Sequence, residues 1–270
     1  MIDKHEDSIE MLPVLRYSES AREKLERAVA LEYPLTIIFN NHEIATVPCT
    51  PKQLEYLAAG FLSSEGYIRN REEIKSLNID ENAGIVRLET FEDRDIDRDI
   101  LHKRVIPTGG GRGAAFYDAA DLPKCNIATD TKISVRDVIS LISEFQLASS
   151  VYQSTRGVHS AALCLGSKIV VHADDIGRHN AIDKVFGFCL LEGRTVEGLI
   201  ILTSGRIASE IVRKVAKKDV QIIVSVSAPT ALAVKLARES GITLIASVRE
   251  GKMDVYTHEE RVVHKAGCSF

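Results

Sequence analysis

The residues of this chain able to do chemistry gather in short turns that follow apolar runs. After KIVVHA comes Asp174-Asp175-Ile176-Gly177-Arg178-His179-Asn180. After GLIILT come Ser204, Gly205 and Arg206, with Ser209 and Glu210 just beyond; after QIIVSV come Ser227, Ala228, Pro229 and Thr230; after TLIASV comes Arg249. Each of the first three turns leads into a predicted helix. A helix start carries backbone N–H groups without intrahelical partners and a partial positive charge, so these turns favour a phosphate or another anion. Arg178, Arg206, Arg249 and Lys252 add charge-assisted donors. Ser-Gly-Arg is also a common turn, and Ser227 with Pro229 is ordinary helix-start grammar, so structural capping accounts for either one taken alone. DDIGRHN is denser than a cap requires. Two carboxylates, an arginine, a histidine and an asparagine within seven residues are costly to gather unless they bond to something. The expected ligand is anionic and nucleotide-like.

Other chemistries have weaker support. A metal site would draw on His159, His172, His179, Asp174 and Asp175, but no HxxxH or CxxC spacing accompanies them. His159, in STRGVHSAA, sits where the chain enters a strand, and a structural histidine and a ligand contact are equal readings. Asp183-Lys184, one helical turn beyond Asn180, reads as surface. GGGRG at Gly109 to Gly113 lacks the strand before and helix after that a phosphate loop needs, and no Walker A loop or GxSxG elbow is present. The five cysteines, Cys49, Cys125, Cys164, Cys189 and Cys268, form no CxxC pair, which argues against a disulfide scaffold. Cys164 and Cys189 lie inside apolar runs and read as small buried hydrophobes. Cys125 and Cys268 have polar or flexible surroundings, with Cys268 in a terminal stretch expected to fray.

These turns need a scaffold, and the apolar pattern describes one. A 45% hydrophobic content over 270 residues supports one large domain or two smaller ones. PLTIIFN and HEIATVP read as a hairpin about Asn40-Asn41, followed by a helix with Thr50 as N-cap, Pro51 at its first position, Gln53 completing a capping box, and Leu54, Leu57, Ala58, Phe61 and Leu62 on its core face. IKSLNID and GIVRLET read as two more strands. A helix around Ser134 to Glu144 precedes a hairpin, SAALCLG and KIVVHAD, after which strands and helices alternate to TLIASV. That alternation predicts a largely parallel sheet covered on both sides. The predicted organisation is α/β: an arm over 1–32, with regular structure beginning at about Tyr33; a smaller α+β domain over 33–106; a Gly/Ala-rich loop over 107–132; and a C-terminal α/β domain over 133–270. A formal net charge of −4 argues against a general nucleic-acid binder. The absence of an 18-residue apolar run, together with an acidic start, predicts a cytoplasmic protein without membrane contact.

Four strings carry a resemblance. RGVHSAA at Arg156 to Ala162, DIGRHNAIDK at Asp175 to Lys184, TSGR at Thr203 to Arg206 and SVSAPT at Ser225 to Thr230 occur in the order and spacing of the FdhD/NarQ family, the formate dehydrogenase accessory proteins. GFLSSEG at Gly60 to Gly66 and Val255-Tyr256-Thr257 extend the likeness. The resemblance implies a cytoplasmic, usually homodimeric sulfur carrier, sulfurtransferase-like in activity. Such a carrier takes persulfide sulfur from a cysteine desulfurase and passes it to the molybdenum cofactor, bis-molybdopterin guanine dinucleotide, held as cargo before insertion into formate dehydrogenase. It also implies a three-layer α/β/α C-terminal domain resembling the cytidine deaminase-like fold, and binding of GDP-like ligands. The cofactor-contacting residues carried over are His159, Asp174, Asp175, Gly177, Arg178, His179, Asn180, Ser204, Gly205, Arg206, Glu210, Ser227, Pro229 and Thr230, with Ser247, Val248, Arg249, Glu250, Gly251 and Lys252 as the stretch near the end. The chain departs from the family at one place. Where relatives carry a loop cysteine in a TSGCGKG-like string, this sequence reads Thr108-Gly109-Gly110-Gly111-Arg112-Gly113, with glycine at about Gly110. Cys125 is then the substitute thiol, or the protein is a non-catalytic chaperone for the cofactor. The deaminase reading lacks its zinc ligands, because His159-Ser160-Ala161 and Pro229-Thr230-Ala231-Leu232 stand where H-x-E and P-C-x-x-C are needed.

Overall fold

The computed structural model describes residues 8–92 and 131–264. Regular structure begins at Ile9, earlier than the expected Tyr33. Strands β1 (Ile9–Tyr17) and β2 (Arg22–Ala30) pair antiparallel as a two-stranded ribbon. Its apolar side chains show no inside-outside alternation, because Met11, Leu12, Leu15 and Tyr17 all meet solvent, and this hides the strands from a reading based on period.

Next comes a four-stranded sheet of order β4-β3-β6-β5, built from β3 (Tyr33–Phe39), β4 (His42–Cys49), β5 (Ile74–Asp80) and β6 (Ile85–Thr90). Asn40 and Asn41 both take positive φ, 44° and 64°, as the tight β3–β4 hairpin requires. Leu35, Ile37, Phe39, Val86 and Leu88 bury one face of this sheet against helix α1 (Leu54–Glu65), which contributes Leu54, Leu57, Ala58 and Leu62. The expected capping box does not form. The helix starts at Leu54 behind Gln53, whose backbone is left-handed and whose side chain makes no cap bond; Thr50 is engaged elsewhere.

The C-terminal part begins with β7 (Ile133–Ser134) and α2 (Val135–Ala148), where the Ser134 hydroxyl caps by accepting the Asp137 N–H at 3.1 Å. A short α3 (Ser150–Thr155) leads into β8 (His159–Leu165), β9 (Lys168–Asp175), α4 (Arg178–Leu191), β10 (Leu199–Thr203), α5 (Ser209–Ala216), β11 (Ile222–Ser225), α6 (Ala231–Glu239), β12 (Thr243–Arg249) and β13 (Lys252–Thr257). A last strand, β14 (Val262–Val263), pairs with β7. The main sheet has the order β13-β12-β11-β10-β8-β9. It is mixed and not largely parallel: β10, β11 and β12 run parallel, while β8 is antiparallel to both β9 and β10, and β13 is antiparallel to β12. Both faces are covered. Leu163, Ala173, Ile201, Ile223 and Leu244 pack with α4, α5 and α6, whereas Ala162, Cys164, Ile200, Leu202, Val224 and Ile245 pack with α2. Burial on two sides is why β10 and β11 are apolar up to their terminal Thr203 and Ser225.

Helix α1 also lies on α4, and two glycines set that contact. A Cβ at Gly60 would fall 1.9 Å from the Asp183 carbonyl oxygen, and one at Gly187 would fall 1.8 Å from that of Tyr56. The backbones meet where no other residue fits, so the four-stranded and six-stranded units share one joint.

Candidate functional site: one rim of the six-stranded sheet

Strand order places the singled-out turns in a row. The end of β9, the start of β8, the ends of β10, β11 and β12, and the start of β13 all lie on one rim, because each antiparallel neighbour presents its opposite end. Backbone bonds join turn to turn. The Ser204 N–H donates to the Ser160 carbonyl at 3.0 Å, the Thr230 N–H to Ile207 at 2.9 Å, and the Ser247 N–H to Ser227 at 3.1 Å. The Ser225 hydroxyl donates to the Gly205 carbonyl at 2.9 Å. With neighbouring strands about 4.8 Å apart, the rim from β9 to β13 spans about 24 Å.

The predicted residues divide into those bonded inward and those facing the rim. Asp175 is fully buried and meets Lys184 Nζ at 2.7 Å, the Thr50 N–H at 3.1 Å, the Gly177 N–H at 2.9 Å and Asn180 Nδ2 at 2.8 Å. Asn180 Nδ2 also donates to the Pro48 carbonyl at 2.8 Å. Lys184 donates to Thr50 Oγ1 at 2.7 Å and to the Asp174 carbonyl at 3.0 Å. Asp174 accepts from Ser160 Oγ at 2.6 Å and Ser149 Oγ at 2.8 Å. These side chains are saturated by the protein. The expectation that Asp183-Lys184 is surface is overturned, since both are buried; Asp183 meets Lys214 Nζ at 2.6 Å and accepts from Ser64 Oγ at 2.7 Å. No local pattern marks Thr50, Ser64, Ser149 or Lys214 as partners, because 25 to 125 residues separate them from the carboxylates they meet.

A second set lies on the partly exposed rim. Arg178 lies over the backbone of Gly205, where a Cβ would fall 2.9 Å from that of Arg178. Its Nη2 is 3.8 Å from Glu210 Oε1, and His179 Nε2 is 3.6 Å from the same oxygen. Both distances exceed a hydrogen bond. His159 Nδ1 is 3.4 Å from Ser204 Oγ. Burial first, then the charges of Arg178 and His179, push the His159 imidazole below its ordinary pKa. Burial also lowers that of Arg178, with the Glu210 carboxylate opposing it. Arg206 is exposed beside them. This group can grip an anion by charge and directed N–H donors.

Further along, Thr230 is spent as the α6 cap, accepting the Ala233 N–H at 3.2 Å, and Pro229 bridges to Ile207. Ser227 and Ser247 are half-buried on the rim. Ser247, Glu250 and Gly251 take positive φ of 55°, 51° and 71°, so β12 bulges and reverses into β13 and leaves Arg249 and Lys252 exposed as a cross-strand pair. Val248 instead packs towards α2.

Among the described residues no group of three or more His, Cys, Asp or Glu could hold a metal ion. His172 packs edge-on to Phe145 and its burial lowers its pKa. Cys49, Cys164 and Cys189 are buried free thiols, pushed up by desolvation to about 12, 12 and 11. They stay protonated and unreactive at neutral pH. Cys125, Cys268 and the Gly109 to Gly113 string lie outside the described residues.

Comparison with known proteins places this arrangement among relatives. A model of the FdhD/NarQ family matches residues 30–263. The sulfur carrier protein FdhD of Bacillus subtilis (strain 168) is 44% identical over 250 residues, covering 92% of this chain and 95% of that protein. That of Staphylococcus aureus (strain MRSA252) is 41% identical over 254 residues, covering 93% and 95%. A crystal structure from Desulfotalea psychrophila, assigned as a formate dehydrogenase accessory protein, superposes with a TM-score of 0.77 at 28% identity, over 95% of this chain and all of that one.

Proposed function

The chain belongs to the FdhD/NarQ family, and from that premise we propose that it is a formate dehydrogenase accessory protein that holds the molybdenum cofactor as molybdopterin guanine dinucleotide and passes it sulfur received from a cysteine desulfurase. One observation carries the binding half: six strand ends form one rim about 24 Å long, and its turns carry Arg178, Arg206, Arg249 and Lys252. A cargo with a diphosphate near its middle and a guanine at one end is long and anionic, and the rim offers cations at both ends with small residues between. Arg178 and Arg206 would take phosphate oxygens, with Gly205 making room for the Arg178 side chain; Ser247 to Lys252 would hold the far end.

The sulfur half rests on a thiol that can ionise. Cys49, Cys164 and Cys189 are buried and held protonated, which leaves Cys125 and Cys268 as carriers, and Cys125 is the one we assign. The thiolate attacks the donor's terminal sulfur, the donor leaves as a thiolate, and Cys125 holds the persulfide. A second reading, a non-catalytic cofactor chaperone, is favoured by one feature, the glycine at about Gly110 where relatives carry their loop cysteine. The free thiols suit the reducing cytoplasm, and no helix of the described residues is long and apolar enough to cross a membrane. We read the α/β/α layering as the cytidine deaminase-like arrangement, without deaminase chemistry. For the homodimer, a second copy covering the exposed Met11, Leu12, Leu15 and Tyr17 of the β1–β2 ribbon is the arrangement we propose.

Incubation with a cysteine desulfurase and cysteine, followed by intact mass measurement, tests the carrier reading. A gain of one sulfur that Cys125→Ala abolishes is expected. No gain, alongside retained guanosine diphosphate binding, would select the chaperone.

A further inference from the structure

His159 and Ser204 sit together where β8, β9 and β10 meet on the rim. Ser204 Oγ accepts the Ser160 N–H at 2.9 Å and lies 3.4 Å from His159 Nδ1. The hydroxyl has one proton to place. When Nδ1 is unprotonated it accepts that proton; when Nδ1 carries its own, it donates to Oγ, fills the second lone pair, and frees the Ser204 O–H to turn outward.

The surrounding charges decide which state holds. Arg178 and His179 face this point from α4 and Asp175 from β9, while Arg206, from the turn after β10, and Glu210, from α5, act on Arg178. Asp175 is neutralised by Lys184 at 2.7 Å. Glu210 offsets one of the two arginines, so the permanent charge here is roughly +1, while a diphosphate diester brings about two negative charges. Without a ligand, burial and the Arg178 charge keep His159 neutral. An anion set against Arg178 cancels that repulsion.

We propose that anion uptake on this rim is coupled to proton uptake: as a diphosphate occupies Arg178 and Arg206, His159 takes a proton from solvent and releases the Ser204 hydroxyl to donate to the ligand. This deepens the reading of the rim as an anion site and rests on it. The sign follows from linkage. Burial and the Arg178 charge hold the free-state pKa of His159 below its ordinary value, and the anion of this proposal raises it. Affinity is therefore highest at low pH and falls as pH rises through the bound-state value.

The probe is guanosine diphosphate mannose, a diphosphate diester whose charge is constant from about pH 6 to about pH 8. Calorimetry on the full chain, in buffers of different ionisation enthalpy, counts protons. Expected are binding about tenfold tighter at the lower pH, uptake of up to about one proton per ligand, and loss of both the pH dependence and the proton uptake in His159→Gln. In the unsubstituted protein, the His159 ring resonance should titrate higher when the probe is present, a readout independent of any variant. Equal affinity at both pH values with no proton uptake would overturn the coupling and leave the rim reading intact. A pH dependence unchanged in His159→Gln would overturn it by moving the proton elsewhere, as would a resonance that ignores the probe. No binding at either pH would overturn the rim reading itself, and the coupling with it.

Discussion

One helix, α4, carries two ionic clusters that differ in nearly every physical respect. On the side facing α1, Lys184 and Asp175 meet at 2.7 Å with neither side chain exposed, and Lys214 and Asp183 meet at 2.6 Å. On the side facing the rim, Arg178 and His179 stand 3.8 and 3.6 Å from Glu210, with 14% to 24% of each side chain exposed. Charges removed from water must be paired or the fold loses stability, whereas charges at a partly wet rim keep solvent as a partner. The string DDIGRHNAIDK is therefore two devices. Asp175, Asn180, Asp183 and Lys184 build the joint between the two sheets, and Arg178 and His179 stand on the partly exposed rim.

The sharpest way to break this division is to remove one member of the buried pair. Lys184→Met should cost about 3–5 kcal/mol of stability in denaturant unfolding, because Asp175 is left charged without its cation. Adding Asp175→Asn should return part of that loss, and a single variant within 1 kcal/mol of the parent would contradict the joint. Gly187→Ala comes next. Its methyl collides with the Tyr56 backbone, so helix α1 must shift, with a loss of about 1–3 kcal/mol on melting. On the rim side, Arg178→Gln should leave stability within about 0.5 kcal/mol but weaken guanosine diphosphate binding roughly tenfold or more by calorimetry. An Arg178→Gln variant that loses stability by several kcal/mol while its folded form binds normally would merge the two clusters into one.

The smallest effect concerns Lys218 at the α1 joint, whose ammonium burial depresses to a pKa of about 8, against an ordinary 10.5. Between those values the unfolded chain binds more protons than the folded one. The contribution of this group to stability thus rises as pH climbs from about 8 towards 10.5, and its penalty is complete below 8. Lys218→Met should flatten that slope in unfolding measured across the range, and an unchanged slope would place the titration elsewhere.

Much of the rim was legible in the sequence because strand-to-helix turns announce themselves, by apolar runs that stop abruptly at Asp174, Ser204 and Ser227. That a sheet gathers such turns at one edge is a rule of topology, and the mixed direction of β8, β9 and β13 left it intact because their opposite ends serve. What stayed hidden depended on distant partners. Thr50 obeys capping grammar, yet its hydroxyl donates to the Asp174 carbonyl at 3.0 Å, a bond across 124 residues that no local pattern encodes. Asp183 and Lys184 are charged residues one helical turn past a turn motif, and only the approach of α1 at Gly60 buries them. The β1–β2 ribbon escaped because both its faces meet solvent and no periodicity separates them.

Amide hydrogen exchange with and without guanosine diphosphate tests the ligand rim most directly. Binding should slow exchange in the segments holding Arg178 to Asn180 and Ser204 to Glu210, while leaving the opposite rim, at Gly166 to Lys168 and Glu197 to Gly198, unchanged. Protection confined to that opposite rim, or none at saturating nucleotide, would contradict the assignment.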